Sequence, residues 1–569
     1  MNVKIKSIAI LFSCMLINAI SYAQKIDAYN YQSQKKLTVT NGAVVCAHPL
    51  AAKVGINILK SGGNAIDAAI ATQLAIAVVY PGAGNIGGGG FMVAHLKNGK
   101  NVTLDFRETA PAKASRDMYL DSNGNPQMHL SQDGHLASGI PGTIAGLFAA
   151  MQYAHLPFKK LIQPAIDLAE FGFAITAHQA KDLNELKKEF VQLNSAPVAF
   201  VKEQLWKAGD TLKQKELANT LKRIRDNGAK DFYEGVTANL IAKEMAKGKG
   251  IITLTDLKNY TAKERVPMEF DYKDCHIVTM PLPSSGGIIM EQVLKMISDK
   301  NIGAMKFQTA ASVQLLSEAE RRAFADRAQY LGDADFVKVP VNTLISTAYL
   351  TERMKDYTPD KAGHSDVIKA GTIKESEETT HLSILDKEGN AVSVTTTLNG
   401  SYGSRTVVAG AGFILNNQMD DFSVKPGVPN MYGAVGAEAN AIAPGKRMLS
   451  SMTPAIVLKN NLPYMVVGTP GGTTIPTSVI QTIVNIIDFG MSPEDAVNKP
   501  KFHQQWQPDE IAIENDFNPA TIDALKTMGY QVKKRGQIGR TELILITNGK
   551  KKSIVAVGDK RGDDAAEGY

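Results

Sequence analysis

The run Glu377-Glu378-Thr379-Thr380-His381 passes directly into Leu382-Ser383-Ile384-Leu385-Asp386, and after Lys387-Glu388-Gly389-Asn390 into Ala391-Val392-Ser393-Val394-Thr395-Thr396-Thr397-Leu398-Asn399. Two alternating stretches around a glycine–asparagine turn predict a pair of antiparallel strands. From Asp360 to Glu378 the chain loses periodicity and fills with Lys, Glu, Ser and Gly, which predicts an exposed loop. A threonine at that junction has a chemical consequence. A threonine hydroxyl alone is a poor nucleophile because most contexts give it no adjacent base. If the chain is cut before Thr379, the freed α-amine, with a reference pKa of about 8, sits on the same residue and can take the proton. Thr379 therefore reads as a masked N-terminal nucleophile.

The same hairpin signature recurs on either side. Phe91 to Leu96 and Val102 to Phe106 flank Asn98-Gly99, Ala455 to Leu458 and Tyr464 to Val467 flank Asn460-Asn461, and Leu543 to Ile546 and Ile554 to Val557 flank Asn548-Gly549. Helical spacing marks Pro49 to Leu59, Ala65 to Val79, Thr143 to His155, Gln308 to Leu331 and Ile475 to Phe489. Ala65 to Val79 is apolar on nearly every face, so it is predicted to be buried. Hairpins separated by helices, with no strand–helix–strand rhythm, predict an α+β fold of antiparallel sheets covered by helices. Strands fall both before and after Thr379, so the two pieces of a cut chain are expected to interlock in one fold.

Composition bounds the partners. The chain of 569 residues is 44% hydrophobic and 21% charged, ordinary globular values. Lys4 and Lys6 precede an apolar run from Ile8 to Ile20, and Ser21-Tyr22-Ala23 offers small residues for a cut before Gln24. That run is too short to span a bilayer comfortably, which predicts a signal peptide at 1–23, no stable membrane anchor and an exported protein, periplasmic or secreted. Losing residues 1–23 lowers the formal charge from +6 to +4, so nucleic acid is not an expected partner. The remaining Cys46 and Cys275 could pair in an oxidising compartment, yet the apolar run around Cys46 favours a buried free thiol. The ten histidines show no metal-ligand spacing, and neither a metal nor another cofactor is expected.

Several motifs are weighed by their context. Gly82-Ala-Gly-Asn-Ile-Gly87 matches a dinucleotide fingerprint but leads into a hairpin rather than a helix, so Gly87 to Gly90 reads instead as a place of close backbone approach. Ser284-Ser285 has no nucleophile elbow and reads as a helix cap. His381 would share a strand face with Thr379, in a structural or a catalytic role. Gly471-Gly472, between a strand and a helix, offers backbone N–H groups to developing negative charge, or is a plain turn. The irregular, glycine- and proline-rich stretch from Pro426 to Arg447 has the length of a lid.

Taken together, Gly87 to Phe91, Asp105 to Glu108, Pro283 to Gly287, Thr379 to His381, Asn416 to Phe422, Leu449 to Met452 and Pro470 to Gly472 resemble the γ-glutamyltransferase (γ-glutamyltranspeptidase) family of N-terminal-nucleophile hydrolases, over essentially the whole chain after residue 23. The resemblance implies an αββα sandwich and a precursor that cuts its own Glu378–Thr379 bond, leaving a large subunit (24–378) and a small subunit (379–569) as a heterodimer. It implies that the Thr379 hydroxyl attacks the γ-amide of glutathione and other γ-glutamyl compounds, and that the acyl group passes to water or to an amino acid or dipeptide. Thr397 would orient that hydroxyl, and the N–H groups of Gly471 and Gly472 would hold the oxyanion. The donor's α-carboxylate would meet Arg107, Ser450 and Ser451, and its ammonium would meet Asn399, Gln418 and Asp421, with Tyr432 as the gate of the lid. Met448 and Thr473 depart from the family pattern, where proline and serine are common, without removing a named group. Relatives with much of the same pattern act as glutaryl or cephalosporin acylases or on poly-γ-glutamate. An uncleaved exported binding protein is the alternative outside enzymology.

Overall fold

The computed structural model describes residues 26–368, 379–431, 433–549 and 551–569. The expected leader, Glu378 and Tyr432 lie outside the described residues.

The hairpin after Thr379 forms as the alternation predicts, with Thr380 opposite Thr396 and Leu385 opposite Ala391. Because successive strand residues point to opposite faces, Leu382, Ile384, Val392 and Val394 enter one apolar core. His381, Ser383, Ser393 and Thr395 face the other way. There the Ser383 hydroxyl donates to the Glu542 carbonyl at 3.1 Å and the Ser393 hydroxyl to the Val467 carbonyl at 3.2 Å, both on a second sheet. One face of the hairpin thus packs on helices and the other on a sheet.

Fourteen strands build these two sheets. In chain order they are β1 (Lys36–Val39), β2 (Ala43–Cys46), β3 (Gly89–His95), β4 (Asn101–Asp105), β5 (Lys263–Arg265), β6 (Met268–Tyr272), β7 (Cys275–Thr279), β8 (Thr380–Leu385), β9 (Ala391–Thr397), β10 (Ala455–Lys459), β11 (Leu462–Gly468), β12 (Glu542–Asn548), β13 (Lys552–Val557) and β14 (Ala565–Gly568). The first sheet runs β14-β2-β8-β9-β3-β4-β5 and the second β1-β13-β12-β11-β10-β7-β6, antiparallel throughout. Each sheet mixes strands from before and after Thr379. All four predicted hairpins are present.

Helices cover both outer faces. Pro49–Lys60, Ala65–Val79 and Phe158–Phe171 pack with β8 and β9, while Gly286–Ile297, Ala310–Tyr330 and Thr474–Ile487 pack on the second sheet. Ala65–Val79 is buried along its whole length, as its composition predicts, and starts at a reciprocal cap in which Asn64 and Asp67 exchange side-chain and backbone hydrogen bonds. The predicted helix from Thr143 stops at Ala150 and tightens into a 3₁₀ turn, Met151–Tyr153. The layers are helix, sheet, sheet, helix. Cys46 and Cys275 are both buried and free. Among the described residues, no helix is long and apolar enough to cross a membrane, and no group of three or more His, Cys, Asp or Glu side chains could hold a metal ion.

Candidate active site

Thr379 immediately precedes β8 and Thr397 ends β9, on the same face of adjacent strands. Their hydroxyl oxygens lie 3.4 Å apart. The Thr397 oxygen accepts the Asn399 N–H at 2.8 Å, which fixes it at the strand end, and Asn399 itself holds a left-handed backbone with φ of 80°. The glycines Gly87 to Gly90 explain how the neighbouring backbones come so close. A Cβ on Gly88 would stand 2.2 Å from the Thr397 carbonyl oxygen, and one on Gly90 2.4 Å from that of Thr395. The fingerprint-like run is a steric device, and no helix follows it.

Thr379 and Thr397 open onto a small recess. Arg107, Asn399, Gln418, Asp421, Ser450, Ser451 and Gly472 also line it, so residues scattered over most of the sequence converge here. Arg107, just past β4, is buried and contacts the Asp421 carboxylate. Its Nε and Nη2 also donate to the carbonyls of Met448 and Leu449, each at 3.3 Å. Met448 therefore serves through its backbone, which explains why a residue other than proline is tolerated.

The hydroxyls of Ser450 and Ser451 are set by what they accept. Ser450 Oγ takes the Met452 N–H at 3.1 Å, and Ser451 Oγ takes Arg327 Nη2 at 3.3 Å. A hydroxyl that accepts from the protein keeps its own proton to donate. The Ser450 carbonyl in turn receives both the N–H and the hydroxyl of Ser285 at 2.7 Å, and Ser284 Oγ donates to the Met452 carbonyl at 2.6 Å. The capping role expected of Ser284-Ser285 falls to Ser284, whose Oγ accepts the N–H of Gly286, the first helical residue, at 3.1 Å. Ser285 occupies the helix start without a side-chain cap bond of its own, and both hydroxyls donate to the 450–452 segment.

Hydrogen-bond acceptors lie directly beside Arg107. Asp421 Oδ2 receives Gln418 Nε2 at 2.8 Å and Oδ1 receives Asn430 Nδ2 at 3.0 Å. Gln418 Oε1 is buried and has no hydrogen-bond partner among the described residues, an acceptor waiting for a donor. Donors and acceptors set side by side complement an α-amino acid, whose carboxylate and ammonium share one carbon, with the carboxylate toward Arg107 and the ammonium toward Asp421.

Gly471 and Gly472 form the turn from β11 into Thr474–Ile487 with φ of 134° and 52°. Positive φ at both positions suits glycine, which has no Cβ to clash. Thr473 Oγ1 donates to Gln505 Oε1 at 2.5 Å, so threonine keeps the hydroxyl that a serine would bring.

Beside Arg107, Glu108 is fully buried, and neither of its carboxylate oxygens has a hydrogen-bond partner among the described residues. Burial lifts its pKa to about 7, against the pull of Arg107. His381 is buried between the sheets, bonded to Thr395 at 2.9 Å and Ser383 at 3.1 Å, and burial lowers its pKa to about 3. It does not line the recess, and its place is structural. In the stretch expected as a lid, Asn430 and Ala434 line the recess and the Met431 N–H donates to Asp420 at 2.8 Å. Arg327 and Asn430 were not singled out by the sequence. Arg327 hides in Glu-Arg-Arg-Ala-Phe-Ala-Asp-Arg, which reads as a charge-laced helix face.

A threonine hydroxyl heading a central strand of two stacked sheets between helical layers defines the architecture of the N-terminal-nucleophile hydrolases. Known proteins narrow this. The γ-glutamyltranspeptidase family profile matches residues 51–569. A glutathione hydrolase proenzyme of Escherichia coli (strain K12) is 44% identical over 97% of this chain and 95% of its own length. The crystal structure of a cephalosporin acylase from Bacillus halodurans superposes with a TM-score of 0.82 at 26% identity, covering 96% of this chain and all of the other. That of the Helicobacter pylori γ-glutamyltranspeptidase gives 0.56 at 45% identity, over 60% of this chain and 97% of the other. The chain belongs to the γ-glutamyltranspeptidase family.

Proposed function

We propose that this protein is an exported, autoprocessing γ-glutamyltransferase and glutathione hydrolase whose nucleophile is Thr379. In the precursor, the Thr379 hydroxyl attacks the carbonyl carbon of Glu378. The peptide C–N bond breaks as an ester forms, and water hydrolyses the ester to free the Thr379 amine and the Glu378 carboxylate. Two chains, 24–378 and 379–569, remain associated.

In the mature enzyme the same hydroxyl, oriented by Thr397, attacks the γ-amide carbonyl of a γ-glutamyl donor while the α-amine takes its proton. The N–H groups of Gly471 and Gly472 receive the oxyanion, an interaction whose loss typically costs about 100- to 1,000-fold in rate. The proton passes to the departing amine, which is cysteinylglycine when the donor is glutathione. Water or the amine of an amino acid or dipeptide then attacks the ester and regenerates Thr379. Arg107, Ser450 and Ser451 hold the donor's α-carboxylate, and Asp421, Gln418 and Asn399 hold its ammonium. The 426–447 stretch closes over the bound glutamyl group, with Tyr432 as its gate.

The observation that carries this reading is the pair of threonine hydroxyls 3.4 Å apart in a recess lined by hydrogen-bond donors and acceptors side by side. Thr379→Ala tests it. On a denaturing gel the wild type is expected as two fragments and the variant as one uncut chain without γ-glutamyl anilide hydrolysis. A variant that still splits at this bond, or a wild type that turns over substrate uncut, overturns the proposal.

A further inference from the structure

The positive charges around the recess are not balanced alike. Arg107 faces two carboxylates, Asp421 in direct contact and Glu108 with Oε2 at 3.5 Å. Arg321 and Arg322, on the same helix as Arg327 and equally buried, each pair with Glu318 and a second acid, Asp509 or Asp356. Arg327 is 7% exposed and lines the recess, yet among the described residues it forms no ion pair. Among the described residues its hydrogen bonds go to hydroxyls, with Nε donating to Ser285 Oγ at 3.1 Å and Nη2 to Ser451 Oγ at 3.3 Å. Burial lowers its pKa to about 10, partly offset by the charge of Asp421, so it stays a cation at neutral pH.

Burying a charge without a counter-ion is costly, and folds rarely keep one unless something offsets it. Here the offset has a location. The guanidinium borders the recess, and its hydrogen bond to Ser451 leaves that hydroxyl's proton for an acceptor there.

We propose that Arg327 is a specificity-determining residue that supplies the unbalanced positive charge selecting donors with an α-carboxylate, acting across the recess and through the Ser451 hydroxyl it orients. The proposal rests on the γ-glutamyl reading above and deepens it. Arg107, held by Asp421, contributes fully only once the substrate's ammonium takes over Asp421. Arg327 needs no such exchange.

Two donors that differ only in the α-carboxylate separate this role from scaffolding: L-γ-glutamyl-p-nitroanilide and 4-aminobutanoyl-p-nitroanilide, each given to matured wild type, Arg327→Gln and Arg327→Lys. Arg327→Gln is expected to raise KM for the glutamyl donor about 10- to 100-fold with kcat changing far less. Its kcat/KM for the carboxylate-free donor should stay within about twofold of wild type. Arg327→Lys, which keeps the charge, should recover most of the loss, and it decides the matter alone if the glutamine variant fails to mature. A loss shared equally by both donors, or a glutamyl KM unchanged in Arg327→Gln, overturns the proposal. Failure of the γ-glutamyl reading appears separately, as a wild type that ignores the glutamyl donor.

Discussion

Gly88→Ala tests the steric argument for the nucleophile's position. The added Cβ would stand 2.2 Å from the Thr397 carbonyl oxygen and 2.9 Å from Cγ of Asn85. Neither neighbour can retreat easily. The Thr397 carbonyl accepts Asn85 Nδ2 at 2.9 Å, and Asn85 Oδ1 accepts the Gly88 N–H at 3.0 Å and the Thr143 hydroxyl at 2.6 Å. The Gly88 carbonyl meanwhile receives the N–H groups of Gly142 and Thr143. Real Cβ atoms do not approach closer than 3.0 Å, so the two backbones must part by about 0.8 Å or more. That movement falls on the residue whose hydroxyl meets Thr379. Overpacking of this kind costs about 1–3 kcal/mol of stability, and a misplacement near 1 Å costs about 100-fold in turnover. The expected variant therefore melts earlier, cuts itself more slowly on a timed denaturing gel, and loses about 100-fold in kcat with KM little changed, because the Arg107 and Asp421 walls are untouched. Gly536→Ala is the control, since nothing lies within 4 Å of its Cβ position and its backbone is unstrained. A Gly88→Ala enzyme with the melting point, maturation rate and kcat of wild type would refute the reasoning.

Two further outcomes follow from the charges in the site. Asp421→Asn keeps the shape of the acceptor wall but removes its charge, so kcat/KM for a γ-glutamyl anilide should fall about 100- to 1,000-fold and that for a glutaryl anilide far less. An unchanged ratio between the two donors would mean that Asp421 does not read the ammonium. For Glu108, burial raises the pKa from 4.5 to about 7 in the folded chain, which therefore binds the proton more tightly than the unfolded chain does. Its contribution to stability is present below about pH 4.5 and is lost as pH rises toward about 7. Glu108→Gln should flatten that part of the pH dependence, read as denaturant midpoints at about pH 5 and pH 8. A slope equal to that of wild type would count against the assignment.

The sequence was most legible where local chemistry and final structure agree. Asn98-Gly99 sits in a turn between alternating strands and Asn548-Gly549 stands where β12 ends, and those hairpins formed as predicted. β14 was not legible, because Ala565-Ala566-Glu567-Gly568 has little strand propensity and becomes a strand only by pairing with Ala43–Cys46. The short buried run Ala43–Cys46 likewise gives no period to read. In the site, polar residues at strand ends were legible as a family pattern. Arg327 was not, because nothing in its helix distinguishes a guanidinium with acids beside it from one without. That difference is set by Ser285 and Ser451, distant in sequence.

Strand β8, the first element after the proposed cut, lies inside a sheet between β2 and β9, hydrogen-bonded on both edges. Scission at that point would be a nick in a closed object: the fragments could not drift apart without melting the ladders. Chain order matters in the reverse direction too. Once the covalent link is gone, recovery from complete denaturation becomes a two-body encounter, slower as the protein is diluted, whereas the uncut precursor folds at a rate independent of concentration.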